Sequence, residues 1–183
     1  MEKLPFKHLT GFVLLSNISS DKPENHSVVV VIQHNETIGT MGLCINHPLH
    51  LNLNDFDEKL WGNFDYIPVF RGGSTKPKQI IVSAMEWDSQ RQQLKWQLGL
   101  NQQQINALIC HLPHAQFKAY CGYVNWAPGQ LSEDIQKGLW LPVPMPSKKI
   151  FRIPNPTLWD TLMFQYYPSQ LTLKGLPKEP SWN

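Results

Sequence analysis

Apolar positions along this chain fall mostly into short runs of period two, with a few stretches near period 3.6 between them. Residues 11–18 (GFVLLSNI) predict a first strand. Residues 27–34 (SVVVVIQH) form a continuous β-branched run, the pattern of a strand covered on both faces. Turn residues 35–39 follow, and then Met41, Leu43 and Ile45 alternate with Gly42, Cys44 and Asn46. These two strands predict a hairpin, and the small residues on one face let another backbone or helix come close.

Residues 51–62 (LNLNDFDEKLWG) predict a short helix capped by Asn52 or Asn54, with Gly62 past its end. Residues 66–73 (YIPVFRGG) and 78–85 (KQIIVSAM) predict strands around a glycine turn. In residues 92–98, Leu94, Trp96 and Leu98 face inward and Lys95 and Gln97 outward. Asn101 and Gln104 make a capping box for a helix whose inner face is Ile105, Leu108, Ile109 and Leu112, stopped by Pro113. Residues 117–126 predict a strand. Pro128 then suits the first turn of a helix with a buried stripe of Leu131, Ile135 and Leu139, a Glu133–Lys137 pair and a stop at Gly138. A last helix runs from Asn155–Pro156 to about Tyr166, and a mobile polar tail covers roughly residues 172–183. Strands in neighbouring pairs with irregularly spaced helices favour an α+β domain with a mixed, strongly curved sheet and about four helices.

Composition narrows the function classes. The 183 residues carry a formal charge of +2, with the basic residues scattered, so the electrostatic case for nucleic acid is weak. Three cysteines make no disulfide framework and favour a reducing cytoplasm. The N-terminus is too short in apolar residues for a signal peptide, and no window reaches the roughly 18 apolar residues of a membrane span.

Candidate chemistry is thin. RGGSTKPK (71–78) lacks the order of a phosphate loop and leads into a strand, which favours a glycine turn, although an exposed Arg71 suits an acidic group. Cys110, His111 and His114 sit close together, but Pro113 breaks their register and no second ligand pair follows. There is no nucleophile elbow. Cys44 and Cys121 read as small buried residues, and His34 and His47 flank the hairpin without a nucleophile or a carboxylate. The amides of Gly129 and Gln130 suit an anion, but the acidic first turn of that helix competes with one. No cofactor and no metal are expected.

Several segments together resemble the bacterial YqgE/AlgH family: LTGFVLLSN (9–17), HNETIGTMGLCINHPL (34–49), VFRGG (69–73) and GYVNWAPGQLSEDIQKGLWLPV (122–143). The resemblance spans roughly residues 9–159. It implies a single domain over 1–183, with a core of about 9–167, whose bifurcated sheet folds into a pseudo-barrel. It also implies a cytoplasmic bacterial protein and brings no demonstrated enzyme activity. The family's proposed role is transcriptional regulation. His47 stands where the family commonly has Arg or Lys, Ser74 where it has proline, and Asn125 where it has a small residue. Asn46, His47, Pro48, Gly72, Gly73, Trp126, Gly129 and Gln130 match the family segments and, with Arg71, are the candidates for a ligand or partner surface. The expected function is a non-enzymatic regulator acting through protein contacts, as a monomer or weak homo-oligomer. The alternatives are a direct DNA-binding regulator and an enzyme or small-ligand binder built around His47, Arg71 and Trp126.

Overall fold

The computed structural model describes residues 8–17, 26–91, 93–145 and 155–173. The chain forms two compact units, one of Met1–His47 with Val124–Asn183 and one of Pro48–Tyr123.

In the first unit the β-branched run becomes strand β2, Val28–Asn35, with Val28 to Val31 all buried, as a strand covered on both faces requires. It pairs antiparallel with β1 (Val13–Ser16) and with β3 (Gly39–Cys44), so the predicted hairpin forms, with a register slip between Val31 and Gln33. β1 pairs on with β9 (Trp140–Val143), while β3 pairs with the last three residues of β8 (Gln116–Trp126). One cluster gathers Leu14, Val29, Val31, Cys44, Trp126 and Leu131. Gly42 explains why a small face was needed, because a Cβ there would stand 2.5 Å from Val29 Cγ1 and 3.3 Å from the Trp126 ring. The approaching groups are the backbone and side chain of β2, with the Val30 carbonyl oxygen at 3.1 Å, and an indole, but no helix.

Among the described residues three helices belong to this unit. Helix α3 is Gln130–Gln136, capped by Gly129 at φ 74°, so Pro128 lies ahead of the helix and not in its first turn. Its buried stripe is shorter than expected. Leu131 is buried and Ile135 is packed against the cluster, but Leu139, beyond the helix end, is 48% exposed. The Glu133–Lys137 pair forms at 3.2 Å. Helix α4, Asn155–Tyr166, has the predicted bounds, and its Trp159 Nε1 donates to the Ser16 carbonyl oxygen at 3.0 Å. A further helix, α5 (Pro168–Leu173), stands where the tail was expected to begin, and it brings the helices among the described residues to five. The rest of the expected tail, 174–183, lies outside the described residues.

The second unit is built on the earlier part of β8. Residues 119–121 pair parallel with β5 (Pro68–Arg71), while residues 116–121 pair antiparallel with β6 (Thr75–Asp88). Since Ala119, Tyr120 and Cys121 have partners on both sides, β5 and β6 flank β8 and are not a hairpin. The 71–75 connection therefore crosses over β8. β6 continues the ladder to β7 (Gln93–Leu98), where Leu94, Trp96 and Leu98 are half-buried and Lys95 and Gln97 exposed, as the alternation predicted. β4 (Pro48–Asn52) closes the other side against β5. The pairing of β8 thus divides along its length, and the sheet is bifurcated and mixed, as expected for this α+β fold.

The core of this unit joins Val69, Val82, Ala84, Ala119 and Cys121 to Leu53, Phe64, Ile67 and Ile105. Helix α2 is Gln102–His111, with the predicted Asn101–Gln104 capping box in place. Ile105 is fully buried and Leu108 packs beside it, whereas Ile109 is 39% exposed: the inner face is narrower than four residues. The helix expected at 51–62 breaks into pieces. Asn52 caps a 3-10 turn (Leu53–Asp55), and only Glu58–Trp61 is α-helix (α1), capped by Asp57 rather than by Asn52 or Asn54.

Candidate functional site

The nine nominated residues divide between the two units, and most have a task in the backbone. Asn46 is 6% exposed. Its Oδ1 accepts from the Val28 amide at 2.8 Å, and its Nδ2 donates to the His26 carbonyl oxygen at 2.7 Å, which closes the open end of the β2–β3 hairpin. His47 Nε2 lies 3.1 Å from Ser27 Oγ at the same end. His34 stands at the far end of β2, seven residues along, and a strand rises about 3.3 Å per residue. The two histidines therefore do not meet. Trp126 is buried and packs edge-on against Trp140 at 5.5 Å. Gln130 is turned back on its own turn, its amide donating to the Ala127 carbonyl and its Oε1 accepting the Ala127 amide. That amide is therefore not offered to an anion.

In the second unit Pro48 opens β4 opposite Phe70, and Arg71 ends β5 exposed, opposite Cys121. Gly72 donates its amide to the Cys121 carbonyl at 2.8 Å, and Gly73 continues the crossing over β8.

Two arrangements escaped the sequence reading. In the first unit the His34 ring is almost wholly buried, with Nδ1 2.7 Å from Thr40 Oγ1 and Nε2 3.2 Å from Glu36, whose carboxylate also accepts from Ser132 Oγ at 2.7 Å. A carboxylate can only accept, so Nε2 carries the proton. A hydroxyl, an imidazole and a carboxylate in line resemble a nucleophile relay, but the Thr40 side chain is itself buried, and the chain of bonds ties the hairpin tip to α3. In the second unit the Lys118 ammonium lies 4.9 Å from the centre of the Phe70 ring, and burial lowers its pKa. The aromatic face supplies part of the stabilisation that lost hydration takes away.

Among the described residues no three His, Cys, Asp or Glu side chains stand close enough to share a metal ion. A cleft of about 180 Å³ lies beside β6, β7 and the end of α2, lined by Met85, Glu86, Lys95 and Leu112 among others, and it contains none of the nine nominated residues. Cys44 and Cys121 are buried, Cys110 is exposed, and burial pushes the Cys121 thiol up. Only thiolate reacts readily. An aromatic disulfide reagent is therefore expected to label one thiol of the native protein quickly and all three after denaturation. Fast labelling of two or more in the native state would contradict this burial.

Ile38, at the hairpin tip of the first unit, is 71% exposed, and a run of exposed apolar side chains lies in the second unit. Leu53, Phe64 and Ile67 anchor the 51–67 segment to the core, while Leu51 (43%), Phe56 (41%), Leu60 (48%) and Tyr66 (53%) stay exposed. The cause of the outward turn is visible at His50, which takes φ 56°. In a regular strand Leu49 and Leu51 share a face. Here Leu49 packs on the core, the β4–β5 register is interrupted between Pro48 and Asn52, and Leu51 points away.

Known proteins resemble this chain over most of its length. A family model described as AlgH-like matches residues 13–168. A UPF0301 protein of Thioalkalivibrio sulfidiphilus is 30% identical over 143 residues, covering 74% of this chain and 76% of its own. One from Anaeromyxobacter dehalogenans is 25% identical over 167 residues, covering 82% and 84%. The solution structure of the AlgH protein from Pseudomonas aeruginosa covers 98% of this chain and 100% of its own at a TM-score of 0.63 and 20% identity. A crystal structure of a protein from Corynebacterium diphtheriae covers 90% of both chains at 0.62 and 18%. At such identities the structural likeness establishes the fold. Among the described residues no helix is long and apolar enough to cross a membrane.

Proposed function

The chain belongs to the AlgH-like family, and from that footing we propose that it acts as a regulatory protein through contact with another protein. One observation carries this reading: four large apolar side chains, Leu51, Phe56, Leu60 and Tyr66, are held in solvent within one sixteen-residue segment in which Leu53 and Phe64 are buried and Trp61 half-buried. Scattered exposed leucines are ordinary, but apolar side chains gathered on one short segment mark contact surfaces. Covering a half-exposed side chain of this size yields roughly 1 kcal/mol, so the four together supply several kcal/mol to an association. The family-matched residues support the same reading indirectly. Asn46, Gly72, Trp126 and Gln130 have their polar groups or their space taken up within the fold.

The test is affinity capture from a bacterial lysate with two baits, the natural chain and the Leu51→Ser/Phe56→Ser/Leu60→Ser variant. All three positions are exposed, so the variant is expected to keep its circular dichroism and unfolding midpoint. A protein enriched about tenfold on the natural bait and lost from the variant is the expected result. The same proteins held equally by both baits would rule the segment out as the contact surface.

A further inference from the structure

The carboxylates around these apolar side chains say more about the partner. Between residues 51 and 66 stand Asp55, Asp57, Glu58 and Asp65, all exposed, against a single cation, Lys59, in a chain whose formal charge is +2. Elsewhere Asp88 pairs with Arg91 and Lys95, Glu133 with Lys137 and Glu36 with His34, while Glu86 and Asp134 form no ion pair among the described residues. Among the described residues none of the four forms an ion pair. Among the described residues Asp55 accepts from the Asn52 amide and Asp57 from the Leu60 amide, contacts that hold these side chains in place without a cation. The turn that presents Phe56 and Leu60 thus also holds two carboxylates in fixed places beside them. A short segment that exposes large apolar side chains among carboxylates is complementary to a helix or strand with one apolar face and flanking Lys or Arg. It repels nucleic acid, whose phosphates would face like charge.

Resting on the contact reading above, we propose that the 51–66 surface receives a basic amphipathic segment of the partner protein. Its apolar side chains lie over Phe56, Leu60 and Tyr66, and its cations over Asp55, Glu58 and Asp65.

The test uses the full chain and two fluorescent peptides of about 18 residues, one built from Leu and Lys and the other from Leu and Glu in the same apolar pattern. Binding is read by anisotropy at about 50 and 300 mM salt, where screening separates charge from apolar contact. The Leu/Lys peptide is expected to bind at least tenfold tighter than the Leu/Glu peptide and to lose about tenfold at the higher salt. The Glu58→Lys/Asp65→Lys variant, changed only at exposed positions, is expected to reverse the preference. Binding of neither peptide, or a Leu/Lys affinity unchanged by salt or by charge reversal, overturns the inference. If both peptides bind alike and the Leu51→Ser/Phe56→Ser/Leu60→Ser variant binds neither, the basic partner is wrong and the contact surface stands. If that variant binds both as the natural chain does, the two readings fall together.

Discussion

Gly72→Ala is expected to cost about 3 kcal/mol or more and to lower the unfolding midpoint of this 183-residue chain by roughly 6–12 °C. The reason is a crossing of two backbones. The connection from β5 to β6 passes over β8, and a Cβ on Gly72 would stand 2.2 Å from the Gly122 carbonyl oxygen and 3.0 Å from Tyr120 Cβ. Neither obstacle is a flexible side-chain tip, so relief requires moving β8 itself. That movement would break the hydrogen bond from the Gly72 N–H to the Cys121 carbonyl oxygen and disturb a strand paired on both sides. Gly62→Ala is the control, since the nearest atom to its new Cβ is Glu58 Cγ at 3.9 Å and its backbone is already right-handed helical. It is expected to be neutral or to stabilise by up to about 1 kcal/mol. Thermal unfolding of both variants checks the pair, and a Gly72→Ala midpoint within 2 °C of the natural chain would contradict the crossing.

Asn46→Ala is expected to cost about 3 kcal/mol, because it strands two backbone groups at once, the buried Val28 N–H and the partly buried His26 carbonyl. Leaving a buried polar group without a partner costs roughly 1–3 kcal/mol. Asn46→Asp separates the two contacts. A carboxylate still accepts from Val28 but has no proton for His26, whose carbonyl oxygen it would face at the 2.7 Å the amide now spans. Burial and that carbonyl both favour the protonated acid, so its folded pKa lies above its unfolded one. The destabilisation therefore grows as pH rises through the folded pKa and recedes as pH falls below it, when the carboxyl proton can be donated to His26. Denaturant unfolding at pH 5 and pH 8 is expected to show the gap to the natural chain narrowing at pH 5. A gap of equal size at both, or wider at pH 5, would mean that the side chain does not hold this carbonyl.

Local pattern made much of the fold legible. The β-branched run at 28–31 is buried on both faces, and the Asn101–Gln104 box caps its helix, because burial of a strand and capping of a helix depend on residues a few positions apart. Features that depend on distant pairing were not legible. The double glycine at 72–73 reads as a turn until β8 is known to have β5 on one side and β6 on the other. Lys118 is an ordinary strand lysine until the parallel pairing of β5 and β8 brings Phe70 beneath it. Pro77 sits inside β6, which begins at Thr75 rather than near 78, in a stretch where the register with β8 shifts between Thr75 and Ile80 and an N–H can be spared. The candidate surface shows the same limit. The period-two rule places Leu51 with Leu49, and only the left-handed backbone of His50 turns it outward. The family segments stood out in the sequence because glycine, asparagine and tryptophan there are demanded by close backbone approach and buried hydrogen bonds. An exposed apolar surface makes no such demand.

Hydrogen exchange of the chain with and without its captured partner separates these roles most directly. Protection on binding is expected at amides within 50–66, with segments 39–47 and 122–130 unchanged. Protection centred on 39–47 or 122–130, with 50–66 exchanging as in the free chain, would place the contact on the residues assigned here to the fold.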